Sequence, residues 1–342
     1  MPPAPVPTRP TVAELVGSAS SFRLPLRGRF RGVDHREGLL LRGPAGWGEF
    51  APFPEYDDAE AARWLAAAIE AAWDGWPDPV RDTVPVNATV PAVAPGQVAE
   101  VLARYDGCRT AKVKVAERGQ HLEHDVDRVA EVRRVMGAGA RIRVDANGGW
   151  STERAREAVG RLAASGLEYV EQPCARVAEL AELRRLLARD RVDVPVAADE
   201  SIRRAEDPML VVREQAADLI VVKVAPLGGV MPALRLVAEC GLPAVVSSSL
   251  DTSVGIAAGV ALAAALPHLE HACGLGTVEL LGSDVAARSL VPVAGMISVT
   301  DAHRLVRAEP DLADLVPLGG DREQWWRDRL ERCAALLDEP RR

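Results

Sequence analysis

Between residues 84 and 273 the chain repeats one pattern: a short apolar run, a polar loop, then apolar positions at helical spacing. The apolar runs predict strands at Val84–Ala88, Ala111–Val115, Arg141–Asp145, Tyr169–Gln172, Val196–Asp199, Leu219–Lys223, Ala244–Ser248 and roughly Leu269–Cys273. Amphipathic stretches between them, among them Leu122–Met136, Thr152–Ala164, Val177–Ala188 and Val230–Cys240, predict helices, with Gly166 and Gly241 where C-caps belong. Strands alternating with helices predict parallel βαβ units, and eight such units predict a closed (β/α)8-type barrel.

Outside this region the period changes. Phe22–Leu26 and Gly38–Arg42 read as strands, and Gly43-Pro44 as a turn. The basic, glycine-punctuated segment Arg27–Gly32 predicts a mobile loop. Asp57 or Asp58 caps a predicted helix running to about Trp73, with Trp64, Leu65, Ile69 and Ala72 at helical spacing. The proline-rich residues 1–18 predict an extended or poorly ordered tail. Beyond residue 285 a strand at Gly295–Val299 and a helix at Asp321–Leu337 are expected to return to the N-terminal unit. The expected organisation is therefore an α/β chain in three parts: a tail and α+β capping domain (1–83), a modified TIM barrel (84–284), and a C-terminal segment (285–342) that completes the capping domain.

Composition narrows the function. The net charge of −8 carries no block of like sign, which excludes the basic stripe of a nucleic-acid surface. A small anionic substrate would have to meet positive charge locally, from a metal ion or a few Lys and Arg side chains. The five cysteines are odd in number, scattered and without a CxxC pair, which suits a reduced, cytoplasmic setting. The N-terminus lacks the apolar core of a signal peptide, and the small-residue run Val254–Leu266 is too short to span a bilayer, so no membrane association is expected. The sequence leaves oligomeric state open.

Five predicted strands carry a charged residue at or near their ends: Lys114, Asp145, Glu171, Asp199 and Lys223. Barrel active sites lie at the C-terminal strand ends, so these side chains should converge. Singly, an acid after a strand is usually a helix cap or a solvated loop residue. Five in succession are harder to dismiss, because Lys, Asp and Glu are rarely buried unless paired. Asp145, Glu171 and Asp199 offer hard oxygen ligands from adjacent strands, a set suited to Mg²⁺ or another divalent cation such as Mn²⁺. Zinc would want His or Cys. His35 and His303 fall outside the barrel, His121 and His124 lie in a loop or helix, and His268 and His271 read as structural. Lys112 and Lys114, at positions i and i+2 of one strand, should both face the interior. Neighbouring, partly desolvated lysines depress one another's pKa, which makes a lysine a general base near neutral pH. The plainer alternative is that the lysines simply pair with the three carboxylates.

In order, Lys-x-Lys (Lys112, Lys114), Asp145-Ala146-Asn147, Glu171-Gln172-Pro173, Ala198-Asp199-Glu200-Ser201 and Lys223 resemble the enolase superfamily in its muconate-lactonising branch. The similarity extends to Gly46-Trp47-Gly48-Glu49 and covers nearly all the chain past residue 20. Within the branch, Gly46–Tyr56, Asp145–Trp150 and Ser247–Gly255 most resemble the group that dehydrates 2-succinyl-6-hydroxy-2,4-cyclohexadiene-1-carboxylate. That resemblance implies a metal-stabilised enediolate, formed when Lys114 removes the proton alpha to the ring carboxylate. Lys114 then returns the proton to the departing hydroxide on the same face. Lys223 would lend positive charge to the ring face, Lys112 would tune Lys114 and touch the substrate carboxylate, and Asn147 would orient a ligand or the substrate. Ser247, Ser248 and Ser249 would contact the succinyl tail, or serve as ordinary loop residues. The helix after them offers free N–H groups to a carboxylate. The Arg27–Gly32 loop would close over the substrate, or remain a solvated surface loop. Gly228-Gly229 reads as a tight turn before a helix, not a phosphate cradle.

Related reactions stay open at this point. An N-acylamino acid racemase or dipeptide epimerase would use two flanking lysines equally well, although Glu270–Gly276 lacks the Asp-x-Asp that dipeptide epimerases tend to carry. A muconate cycloisomerase is a further alternative. A non-catalytic metal-binding scaffold is disfavoured by retention of both lysines with all three acids.

Overall fold

The computed structural model describes residues 9–30, 32–205, 207–312 and 318–338. A tail is predicted over residues 1–18, yet Val12–Ser18 forms helix α1. Thr11 and Glu14 account for the difference: Thr11 Oγ1 accepts from Glu14 N–H at 3.3 Å, and Glu14 Oε2 accepts from Thr11 N–H at 2.8 Å. Pro10 stands ahead of the cap, where it takes no hydrogen bond from the helix. Residues 1–8 lie outside the described residues.

Strands β1 (Ala19–Phe30), β2 (Val33–Arg42) and β3 (Trp47–Phe50) form an antiparallel sheet in that order. The predicted Arg27–Gly32 loop is largely strand. Pairing with β2 is irregular beyond Pro25 and resumes at Phe30 opposite Val33, while Arg31 lies outside the described residues. Pro25 is tolerated because β1 is an edge strand. Helix α2 (Asp58–Ile69) is capped by Asp57, whose carboxylate accepts from Glu60 N–H at 2.7 Å, and it ends in a π turn, Glu70–Asp74. Trp64, Leu65 and Ala68 of α2 share a core with Leu15, Leu39, Phe50 and, from the C-terminal helix, Trp326 and Leu330.

The predicted strand Val84–Ala88 is divided. Strand β4 (Thr83–Pro85) pairs antiparallel with a strand at Met296–Ser298, and only β5 (Ala88–Val90) enters the barrel sheet. From there the alternation holds: α3 (Val98–Leu102), β6 (Thr110–Lys114), α4 (Leu122–Met136), β7 (Arg141–Asp145), α5 (Thr152–Leu162), β8 (Leu167–Glu171), α6 (Val177–Asp190) and β9 (Val196–Ala198). Two short helices, α7 (Glu200–Arg203) and α8 (Leu210–Arg213), precede β10 (Leu219–Val222). Next come α9 (Val224–Leu227), α10 (Val230–Cys240), β11 (Ala244–Val246) and α11 (Ser253–Ala265). Strands β5 to β11 form one parallel sheet in sequence order. The predicted eighth strand at Leu269–Cys273 is reduced to two bridges. Cys273 pairs with Val86 and Gly274 with Ser247, and these close the barrel between its two edges.

The C-terminal segment divides its contacts. Strand β12 (Met296–Ser298) joins β4 and α12 (Val299–Leu305) packs on α11, while just beyond α12 Val306 O accepts from Trp47 N–H at 2.8 Å and Glu309 pairs with Arg42 at 2.6 Å, so this part touches both the barrel and the N-terminal sheet. Helix α13 (Gly320–Asp338) does return, packing on α2 and α1. Helix α11 is buried almost all round because α10, α12 and the capping sheet cover it, which explains its unbroken apolar sequence. Among the described residues no helix is long and apolar enough to cross a membrane.

Candidate active site

Strand register sets the site. Lys114 pairs with Asp145, Asp145 with Glu171 and Glu171 with Ala197, so the charged ends of β6, β7 and β8 stand level, with Asp199 just beyond β9. Alternation along each strand sends these side chains to the barrel interior, above a layer formed by Tyr169, Ala197, Leu219, Val221 and Val245. The opposite faces, including Val113, Val144, Val170 and Ile220, pack against the helices. Asp145, Glu171 and Asp199 are buried, as are Lys112 and Lys223.

The lysines meet the carboxylates directly. Lys112 Nζ donates to Glu171 Oε1 at 3.0 Å and lies 3.6 Å from Asp145 Oδ2. Lys114 Nζ bonds Asp145, and Lys223 Nζ donates to Asp199 Oδ2 at 2.6 Å. Burial works against the charge on Lys112, but Glu171 and Asp145 outweigh it and hold the ammonium above the ordinary lysine range. The depressed pKa expected from two neighbouring lysines is therefore not seen at Lys112; the flanking acids dominate. Burial also opposes charge on Asp199, yet Lys223 and Arg203 pull its carboxyl below the usual range.

The turns that follow these strands are conformationally costly. Ala116, Asn147, Gln172 and Leu250 all have positive φ, at 61°, 46°, 38° and 60°. Such strain persists where surrounding contacts over-determine it, commonly at functional sites. Asn147 N–H donates to Asp145 Oδ1 at 3.0 Å, its Oδ1 accepts from Lys114 Nζ at 2.8 Å, and its Nδ2 donates to Glu200 Oε1 at 3.2 Å. Asn147 thus orients both a carboxylate and a lysine. Gln172 bridges to the next strand: Oε1 accepts from Asp199 N–H at 2.9 Å and Ser201 N–H at 3.2 Å, while Nε2 donates to Ser201 Oγ at 2.8 Å.

A cleft at these strand ends is lined by Lys112, Lys114, Asp145, Lys223, Ser247 and Ser248. Ser247 Oγ lies 3.5 Å from Lys112 Nζ, and Ser248 Oγ is 2.7 Å from both Gly274 O and Thr277 Oγ1. Ser249 is buried in the following turn and does not line the cleft. A wider cleft of about 470 Å³ opens at the N-terminal end of the barrel, but its Arg184–Asp218 pair is partly exposed and no buried charge cluster accompanies it.

Several site residues escape sequence reasoning. Thr89, Leu250 and Thr277 line the cleft, and they carry no charge to single them out. Arg203 donates from Nε to Asp199 Oδ1 at 3.0 Å; its i+4 spacing from Asp199 was the available signal. The N–H groups at the start of α11 do hold a carboxylate, but it is the chain's own Glu49, not a substrate group. Glu49 Oε2 accepts from Thr252 N–H at 3.1 Å, Thr252 Oγ1 at 2.5 Å and Gly255 N–H at 3.0 Å. Glu70 likewise accepts from Val230 and Met231 N–H at the start of α10, after the Gly228-Gly229 turn. His271 is structural: its ring lies 2.9 Å from Glu168, which also binds the buried Arg143.

Asp145, Glu171 and Asp199 fit a divalent cation by chemistry. They are hard oxygen donors with neither His nor Cys among them. The Glu171 carboxyl is pushed up to about 7, first by burial and then by the charge of Asp145, with Asp199 adding to it. A cation would relieve that repulsion. Among the described residues no three acidic, His or Cys side chains are clustered to hold a metal as they stand. The lysine ammoniums are seated against these carboxylates instead.

Comparison with known proteins gives the family. Residues 96–303 match the family described as enolase C-terminal domain-like, and residues 21–72 the enolase N-terminal domain-like family. The o-succinylbenzoate synthase of Thermobifida fusca is 59% identical over 297 residues, covering 86% of this chain and 92% of that protein. That of Mycobacterium tuberculosis H37Rv is 55% identical over 335 residues, covering 97% and 98%. Among solved structures, the L-Ala-D/L-Glu epimerase of Bacillus subtilis superposes with a TM-score of 0.70 at 24% identity, covering 86% of this chain and 96% of that one. Muconate cycloisomerase of Pseudomonas fluorescens gives 0.66 at 21%, covering 90% and 97%. These two likenesses concern the fold alone, a modified TIM barrel with a capping domain. From the sequence relatives and the two domain matches together, this chain belongs to the o-succinylbenzoate synthase family of the enolase superfamily.

Proposed function

We infer that the protein is an o-succinylbenzoate synthase, a carbon–oxygen lyase that dehydrates 2-succinyl-6-hydroxy-2,4-cyclohexadiene-1-carboxylate to 2-succinylbenzoate in menaquinone biosynthesis. The observation carrying this reading at the site is that Lys114 and Lys223 border one cleft with Asp145, beside the buried Glu171 and Asp199. Lys114, as the neutral amine, takes the proton alpha to the ring carboxylate, and the C–H electron pair passes into that carboxylate. The pair then returns to the ring as the C–O bond breaks. The Lys114 ammonium gives its proton to the leaving hydroxide, so water departs and the ring becomes aromatic. Asn147 aims Lys114 at the substrate. Lys223 sets positive charge against the ring face. Lys112 and Ser247 are poised to meet the ring carboxylate, and Ser248 the succinyl arm.

A divalent metal accompanies membership of this superfamily, and we propose Mg²⁺ held by Asp145, Glu171 and Asp199. When bound, it supplies Lewis-acid stabilisation to the carboxylate of the deprotonated substrate. The scattered cysteines suit a cytoplasmic setting.

The test is an ultraviolet assay for the aromatic product from the cyclohexadiene substrate with Mg²⁺. Turnover by the wild-type protein supports the reading. No turnover, with deuterium exchange instead at the alpha carbon of an N-succinylamino acid, would replace it with racemisation.

A further inference from the structure

The Glu49 carboxyl group and the Arg36 guanidinium are both buried, and both come from the N-terminal sheet, on β3 and β2. Both grip the same turn of the barrel. Arg36 Nε donates to Leu250 O at 3.1 Å, while its Nη2 donates to Ala51 O at 2.5 Å and its guanidinium lies 4.3 Å from the Phe53 ring centroid. Glu49 holds the other end of the turn through Thr252 and Gly255. Inside the turn, Asp251 Oδ2 accepts from Ser249 N–H at 3.0 Å.

The gripped residue is Leu250. Its φ of 60° is a costly conformation for a leucine, so external contacts must hold it there. Leu250 belongs to the core of the capping layer and also lines the reactive cleft with Lys114 and Lys223. Position 255 is fitted to the arrangement. A Cβ there would come within 2.9 Å of Glu49 Oε2 and 2.7 Å of Asp251 Cβ, so only glycine admits the carboxylate.

We propose that Glu49 and Arg36 are positioning residues for substrate binding: the capping sheet, through them, fixes the strained Ser249–Thr252 turn so that Leu250 forms a wall of the cleft. This rests on the dehydratase reading. Without the grip, the turn relaxes, Leu250 leaves its place and the substrate is held less well, while Lys114 and Asp145, anchored on their own strands, keep their chemistry.

A double-mutant cycle in KM tests this. Glu49→Ala and Leu250→Ala are each expected to raise KM by about tenfold with little change in kcat. Because Glu49 acts through Leu250, the double variant should have the KM of the worse single variant. Multiplying effects, or a Glu49→Ala loss confined to kcat, would overturn the proposal. Glu49→Gln, which keeps an acceptor for Thr252, should recover much of the KM and serves if the alanine variant folds poorly. Absence of wild-type turnover would instead count against the dehydratase reading itself.

Discussion

The side-chain carbonyl of Gln172 accepts from the backbone N–H of Asp199 at 2.9 Å, tying the tip of one barrel strand to the acid on the next. One proposed metal ligand, Asp199, is thus positioned by a neutral side chain from the residue that follows another, Glu171. Gln172→Leu would leave the buried N–H groups of Asp199 and Ser201 without this acceptor, costing about 1–3 kcal/mol of stability. It should also weaken Mg²⁺ binding by roughly 10–100-fold, as loss of outer-shell support does. Calorimetric titration of the variant with Mg²⁺ checks this, and unchanged affinity would remove Gln172 from the positioning role.

Lys114→Ala should lower kcat by roughly a thousandfold, within the range for a lost general base. Asp145 keeps Lys112 at 3.6 Å, so the fold should survive, and circular dichroism would verify it. Lys223→Ala should also lose turnover while retaining the helical signal. Full turnover by Lys114→Ala would sink the assignment of the base.

Removing the metal with EDTA should abolish turnover, and added Mg²⁺ or Mn²⁺ should restore it. Binding to the folded state alone raises stability by about 2.7 kcal/mol at a hundred times Kd, so the melting temperature should climb with Mg²⁺. Glu171→Gln should flatten that dependence. A melting temperature indifferent to Mg²⁺, with turnover intact in EDTA, would place the chemistry elsewhere.

What the sequence makes legible follows from periodicity. Barrel strands read clearly because apolar runs alternate with amphipathic helices, and the charges ending them stand out as Lys114, Asp145, Glu171 and Asp199. Closure was harder to see. Cys273 and Gly274 make only single bridges, and Pro85 sits where β4 has turned away to meet Met296–Ser298. The capping contacts are less visible again, because Glu49 and Thr252 are 203 positions apart. Nothing local says that a carboxylate in one domain will cap a helix in another. Lys112 carries a similar lesson: its neighbour in sequence is a lysine, but its neighbours in space are Glu171 and Asp145.

Glu168 gives a pH dependence with a definite sign. Burial opposes its charge, but the hydrogen bond with His271 and the adjacent Arg143 prevail and bring its pKa down to about 2. The unfolded value is about 4.3, so the folded state favours the carboxylate, and the stability this contributes is present above pH 4.3 and lost as pH falls towards 2. Glu168→Gln removes this contribution and leaves Arg143 buried without its counter-charge. The gap in melting temperature between wild type and variant should therefore be widest near pH 6 and shrink towards pH 2.5. Parallel curves would show that Glu168 does not carry it.

Gly48 tests how closely the capping layer must pack. A Cβ at this position would lie 2.1 Å from the carbonyl oxygen of Ala68 on α2, a backbone atom that cannot swing aside. Gly48→Ala must therefore force β3 away from α2, and overpacking of this kind costs about 1–3 kcal/mol. Because β3 also carries Glu49, the displacement should reach the Thr252 end of the Ser249–Thr252 turn, disturb Leu250 in the cleft wall, and raise KM as well as lowering the melting temperature. Gly96→Ala is the control, since a Cβ there meets nothing within 4 Å. If Gly48→Ala melts with the wild type and keeps its KM, then β3 has more freedom against α2 than this close approach allows.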